Sequence, residues 1–269
     1  MAIITVSRGS YSKGKEIAEQ VAHRLGYRSV CREVLLRASA KFDIPEVKLA
    51  SALRDAPSVL RRFTYGKHEY LAYIQEAFLR EVQEDNVVYH GLAGHFFLKG
   101  VAHTLKIRII ADLDDRIRSA MKQENLSEDE ARRFVESVDA ERRKWALSLY
   151  GIDTADPSLY DLVVHVQILQ VEDAVRFICR AAELPQFQTT PESQKALDGL
   201  LLAAQVKSVI LHDWPEAEVS ADNGKVVVHV NAPVVREAAI GKQIVSTVGQ
   251  IPGVTEVQVS VHPGMYLDS

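Results

Sequence analysis

Two glycines and a lysine set the first chemical pattern, in the run Gly9–Ser10–Tyr11–Ser12–Lys13–Gly14–Lys15. The G-x-x-x-x-G-K spacing suits a loop that cradles phosphate. Small residues let backbone N–H groups turn inward, a following helix N-terminus adds its dipole, and the lysine reaches terminal phosphate oxygens. An apolar β-branched segment, Ala2 to Val6, precedes the loop, and a helical pattern follows it, which is the context such a loop needs. Glu16 stands where such loops carry the hydroxyl that ligates magnesium. A carboxylate there repels phosphate unless a cation lies between. Gly9, Ser10, Tyr11, Ser12, Lys13, Gly14, Lys15 and Glu16 are therefore the candidate phosphate ligands. The competing reading is an ordinary solvated turn, with Lys15 loosely paired to Glu19 one helical turn on.

Arginines make the second pattern: Arg116, Arg118, Arg132, Arg133, Arg142 and Arg143. On one continuous helix, Arg132 and Arg143 share a face. Guanidinium groups gathered over a phosphate stabilise the charge of phosphoryl transfer. The same residues also fit a solvated helix laced by Glu128–Arg132, Asp129–Arg133 and Asp139–Arg143 at i,i+4. A third pattern, Tyr89–His90–Gly91–Leu92–Ala93–Gly94, closes an apolar strand, at the end where open parallel sheets bind ligands. His90 could touch a ligand there, or be hydrogen-bonded structure. His95 and His103 show no metal-ligand spacing.

These residues need a scaffold. Strands are expected at 2–6, 86–89, 105–111 and 162–166, and helices at 17–25, 34–40, 45–60, 69–82, 114–122, 127–150 and 171–182. Ser127 with Glu130 forms a capping box for the long helix. Strands alternating with helices imply a parallel sheet with helices on both faces. The Pro-, Gln- and Thr-bearing stretch from Leu184 to Pro191 is the expected boundary, giving segments 1–184 and 192–269. The second segment reads α-β-β-α-β: helix 193–211, strands 217–220 and 225–230 around the turn Asp222–Asn223–Gly224, helix 234–248 and strand 254–261.

Composition sets the outer limits. The chain has 269 residues, 47% hydrophobic and 25% charged, enough for a real core. A net charge of −4 argues against generic binding to nucleic acid. Cys31 and Cys179 are too few and too far apart for a disulfide framework or a metal motif. Neither an export signal nor a membrane-spanning run is read, so a cytoplasmic location is expected.

Taken together, the motifs resemble the cytidylate-kinase-like family of P-loop nucleoside monophosphate kinases. Its opening I-I-T-I-S-R-x-x-G-S-G-G-R-E-I-A is similar to Ile3 to Ala18, and its D-K/R-E-I/L segment to Cys31–Arg32–Glu33–Val34–Leu35. Its V-I-V-G-R-x-A/G is similar to Val87 to Gly94, and its D-R-I to Asp115–Arg116–Ile117. Its D-x-x-R lid is matched by Asp139 to Arg142, and its Y-G-x-D-x-x-D-P-x-x-Y-D-L-V-I by Tyr150 to Val164. The resemblance covers about residues 1–183. Tyr11 and Lys13 stand where the family pattern has glycine, and Leu92 where it has arginine.

The resemblance implies an NMP-kinase-like α/β fold, ATP as donor, Mg2+ as cofactor and a nucleotide as the ligand partner. It implies that Lys15, Arg116, Arg132, Arg142 and Arg143 carry catalysis. The altered loop and Leu92 keep a second function open, a nucleotide sensor without turnover. Residues 192–263 are similar to a BON domain, with Pro252–Gly253–Val254–Thr255–Glu256–Val257 matching its closing G-V-x-x-V. That similarity implies membrane-surface or ligand binding, the sensor reading makes the module an output unit for a protein partner or self-association, and the other reading is a small structural or dimerising module.

Overall fold

The structure, a computed structural model, describes residues 2–31, 33–44, 64–91, 94–233 and 237–262. The helix expected at 45–60 lies outside the described residues, as do Arg32, Leu92, Ala93 and the first residues of the helix expected from 234. Strand β1 (Ile3–Arg8) lies at the centre of a five-stranded parallel sheet, between β3 (Val87–Tyr89) and β4 (Thr104–Ile110). Strands β2 (Arg28–Val30) and β5 (Leu162–His165) form its edges. Central parallel strands are buried on both faces, which is why β1 opens on buried Ile3 and Ile4 and β3 reads as Val87–Val88–Tyr89. β2 is three residues long and two of them are exposed, so it leaves no periodicity to read.

Side-chain alternation divides the sheet between two cores. Ile4, Val6, Leu105, Ile107 and Ile109 meet α1 (Gly14–Leu25) and α7 (Val171–Ala182) through Ile17, Val21, Val175 and Ile178. Ile3, Val87 and Tyr89 face the other way, onto α2 (Glu33–Phe42), α3 (Thr64–Val82) and the short α4 (Gly94–Phe97). The same alternation turns Lys106 and Arg108 of β4 away from the α1–α7 core. After β4, α5 (Leu113–Glu124) and α6 (Glu128–Tyr150) form a hairpin. Asn125, in the left-handed region at φ 57°, ends α5. The Ser127 amide donates to Glu130 Oε2 at 2.9 Å and starts α6.

The C-terminal part holds α8 (Pro191–Ile210), β6 (Glu218–Asp222), β7 (Lys225–Asn231), α9 (Glu237–Val248) and β8 (Glu256–His262). Its three strands form a mixed sheet in the order β6-β7-β8. β6 and β7 pair antiparallel across Asn223 and Gly224, whose φ values of 47° and 82° suit a tight hairpin. Helix α8 serves two cores. Leu197, Leu201 and Ala204 pack with the α2–α3 core, while Leu202, Val206 and Ile210 pack on Val226, Val228 and Val230 of β7. The start of α8 and the chain before it are tied down as well: Thr189 Oγ1 donates to Asp85 Oδ2 at 2.5 Å, and His103 Nδ1 lies 2.7 Å from Ser193 Oγ in the first turn of α8. Among the described residues, no helix is long and apolar enough to cross a membrane.

Candidate functional site

The β1–α1 loop turns sharply over the C-terminal edge of the sheet. Tyr11 and Lys13 both take left-handed backbone, at φ 58° and 62°. This is the conformation glycine adopts freely and other residues adopt at a cost of roughly 1–2 kcal/mol. The loop path is therefore that of a glycine-rich loop, built with two side chains that strain it. Ser12 Oγ donates to the Gly9 carbonyl at 2.9 Å and braces the turn from inside. Gly14 opens α1, and a Cβ placed there would stand 2.7 Å from the Cβ of Arg8. Only glycine lets the helix begin this close to the arginine stem.

Beside the loop, at the C-terminal ends of β1, β3 and β4, lies a cavity of about 520 Å³. Among the described residues, five arginines line it (Arg8, Arg108, Arg116, Arg142 and Arg143) against one carboxylate, Asp139. In a chain with a net charge of −4, this local excess marks a site for an anion. Two of the arginines are matched by acids. Arg116 pairs with Asp139, and Arg143 reaches Asp153 Oδ2 at 2.5 Å. The other three donate to neutral groups. Arg8 gives hydrogen bonds to the His90 carbonyl at 2.5 Å, Arg108 to Tyr160 Oη at 3.2 Å, and Arg142 to the Arg8 carbonyl at 3.3 Å. Burial lowers the pKa of Arg8 and Arg142 from the ordinary guanidinium value, so an anion entering here meets cations already partly removed from water.

Histidines and aromatic rings form the rest of the wall. His90, its Nδ1 3.2 Å from Arg8 Nη1, has its pKa lowered by burial and by that guanidinium. His95 is pushed down to about 4 by burial, with Arg108 and Lys106 adding to the effect. Both rings are neutral at pH 7 and offer hydrogen bonds rather than charge. Phe96, Tyr89 and Trp145 supply apolar wall. The thiol of Cys31, also in the wall, is pushed up by burial. Among the described residues, no group of three or more His, Cys, Asp or Glu could hold a metal ion.

The sequence-derived candidates divide. Gly9, Arg116, Arg142 and Arg143 line the cavity. Ser10 is joined to Arg116 and Asp139 at its edge. Lys13 and Glu16 are exposed on the loop and first turn. Lys15 points to Glu19 at 3.7 Å with its side chain 67% exposed. Arg132 is not brought to the cavity. It sits near the start of α6 and reaches Asp114 of α5 at 3.5 Å. None of the three i,i+4 pairs of the solvated-helix reading forms: Arg132 turns to Asp114 and Arg143 to Asp153, and Asp139 turns inward to Arg116. Arg8, Arg108 and the inward role of Asp139 escaped the sequence reading. Two signals were available, an arginine closing the first strand and another at the alternate position of β4.

The chain is similar to several known proteins. A cytidylate kinase from Methanocaldococcus jannaschii is 27% identical over 186 residues, covering 67% of this chain and 97% of that protein. Another from Thermoplasma volcanium is 26% identical over 200 residues, covering 72% and 99%. A crystal structure of an uncharacterized protein from Eubacterium ventriosum matches with a TM-score of 0.53 at 18% identity, covering 68% of this chain and 99% of that one, a likeness of fold. Residues 3–168 match the sequence profile described as the Cytidylate kinase-like family, and the chain belongs to that family.

Proposed function

We propose that the protein transfers the γ-phosphoryl group of ATP to a nucleoside monophosphate. The observation that carries this reading is the five-arginine cavity at the strand ends, directly beside a glycine-type loop that opens a helix. The amides from Gly9 to Gly14 and the ammonium of Lys15 hold the donor phosphates. Arg116, Arg142 and Arg143 face the acceptor phosphate and the charge that develops between the two, with Arg8 and Arg108 completing the cationic wall. Such preorganised cations stabilise a transition state without reorganising at the moment of reaction. Magnesium, if bound, would supply charge neutralisation for the transferring phosphoryl group. With Glu16 in place of a hydroxyl, it would be held by phosphates and water more than by protein. The cytidylate kinase relatives make a pyrimidine monophosphate the first acceptor to try. A coupled assay with ATP, Mg2+ and a panel of nucleoside monophosphates tests the reading. Diphosphate formation with at least one acceptor is expected, and no turnover with any of them overturns it.

A second reading is favoured by one specific observation. The Ser10 amide, a phosphate-facing donor in such loops, is already given to Asp139 Oδ1 at 3.2 Å. A nucleotide sensor without turnover, with the C-terminal part as a BON-like output unit for a protein partner or self-association, accounts for that contact. It predicts ATP binding, no turnover and a change of oligomeric state on binding.

A further inference from the structure

Tyr11 stands where the family pattern has glycine, keeps the glycine's left-handed backbone, and sends its side chain to the α5–α6 hairpin. Its ring packs against the cluster of Ile117, Ala120, Ala131 and Val135, 6.0 Å from the ring of Phe134. Its hydroxyl donates to Glu124 Oε1 at 2.8 Å, at the far end of α5. Glycine can make none of these contacts. The neighbouring residues continue the seam. Ser10 Oγ donates to Asp139 Oδ1 at 2.8 Å and lies 3.5 Å from the Val135 carbonyl, and Arg142 reaches the Arg8 carbonyl. Val135, Asp139 and Arg142 are spaced i, i+4, i+7, so one face of α6 lies along the loop from Arg8 to Tyr11.

From this we infer that Tyr11 is a positioning residue, a tether that docks the α5–α6 hairpin onto the phosphate loop before any ligand arrives. The inference deepens the phosphoryl-transfer reading, since α6 carries Arg142 and Arg143. With glycine at this position, the contacts left between loop and hairpin would be the polar ones of Ser10, Arg116 and Arg142. In this chain an aromatic anchor holds them together whether or not the loop is filled. The backbone strain at Tyr11 is retained because the packing of its side chain offsets it. The raised pKa of Tyr11, driven first by burial and then by Glu124, agrees with a phenol held in this seat.

Hydrogen exchange on the full-length, ligand-free protein tests the tether. Tyr11→Gly suits the backbone and will fold. It should speed amide exchange across α5 and α6 about tenfold or more while leaving β1 and β4 unchanged, and Tyr11→Phe, which keeps the ring, should restore most of the protection. Exchange in α5 and α6 within twofold of wild type in Tyr11→Gly overturns the tether. So does a uniform loss of protection that includes the sheet, since that is a general stability effect. Inorganic tripolyphosphate supplies a second arm. It should leave α5–α6 exchange unchanged in wild type but slow it in Tyr11→Gly, and its affinity should fall about tenfold in Tyr11→Gly and less than threefold in Tyr11→Phe. Strong new protection of α5–α6 in the wild type would show a hairpin that was not docked, and also overturns the tether. If tripolyphosphate binds no variant, the nucleotide reading fails, and the ligand-free comparison still decides the role of Tyr11.

Discussion

Arg116 grips Ser10 at two points: its Nε donates to the Ser10 carbonyl at 2.7 Å and its Nη2 to the Ser10 hydroxyl at 2.7 Å. The same guanidinium pairs with Asp139. One planar fork thus ties the phosphate loop, α5 and α6 into a unit. A lysine has one ammonium and cannot make this arrangement. Arg116→Ala should lower kcat/KM about 10²- to 10³-fold, the scale of losing one preorganised donor. Arg116→Lys should recover little of it. Steady-state kinetics on the two variants, with melting temperatures to exclude unfolding, provide the check. Near-wild-type rates for Arg116→Lys would mean that charge alone suffices.

Lys15 and Lys13 separate charge from loop shape. Lys15→Ala should weaken triphosphate binding roughly 10- to 150-fold, the value of one charge-assisted hydrogen bond of about 1.5–3 kcal/mol. Its exposed side chain and long contact with Glu19 mean that stability should barely change. Lys13→Gly removes a Cβ from left-handed backbone and should raise stability by up to about 1 kcal/mol, because strain relief outweighs the added freedom of the unfolded chain. Calorimetry and thermal melts on both variants measure this. Loss of binding on changing Lys13 but not Lys15 would reverse the assigned register.

His95 predicts a pH signature. Its folded-state pKa of about 4 lies below the ordinary histidine value, so the unfolded chain takes up the proton first as pH falls. Stability should be intact above pH 6.5 and decline between there and pH 4, by at most about 3 kcal/mol from this residue. His95→Phe should flatten that slope without moving the neutral-pH activity optimum. Denaturant melts from pH 4 to 8 report it, and an unchanged slope would mean that the ring is more hydrated than its packing implies.

Much of the architecture is legible in residues taken singly. The apolar run at β1, the glycines after it, the Ser127–Glu130 cap and the Asp222–Asn223–Gly224 turn each mark an element, and α7 begins at Val171 and ends at Ala182 as its periodicity says. What escapes local reading is partnership across the fold. Asp139 has an arginine four residues on, yet pairs with Arg116 on another helix, because the hairpin turns it inward. Nothing local shows that Tyr11 and Lys13 keep glycine-like backbone. Nor does periodicity reveal that α8 feeds two cores, since a helix buried on two sides carries apolar residues almost all round.

We propose that the division between the two units falls at 184–191, as segments 1–184 and 192–269, and α8 makes a specific prediction about it. Protease nicking within that stretch should leave the halves associated on gel filtration, because Leu197 and Leu201 remain seated in the α2–α3 core. Losing each leucine from that seat should cost about 2–5 kcal/mol, so a chain ending at Leu184 should be far less stable than one ending at His212. Halves that separate cleanly after nicking would assign α8 to the C-terminal unit alone.

The central claim is that the arginine-lined cavity and its loop form a nucleotide site, and calorimetric titration of ATP into the full-length protein tests it most directly. Binding tighter than millimolar, about −4 kcal/mol, is predicted for the wild type, and weaker binding for Lys15→Ala. No measurable binding of ATP, ADP or CMP at millimolar concentration would contradict the kinase and sensor readings together.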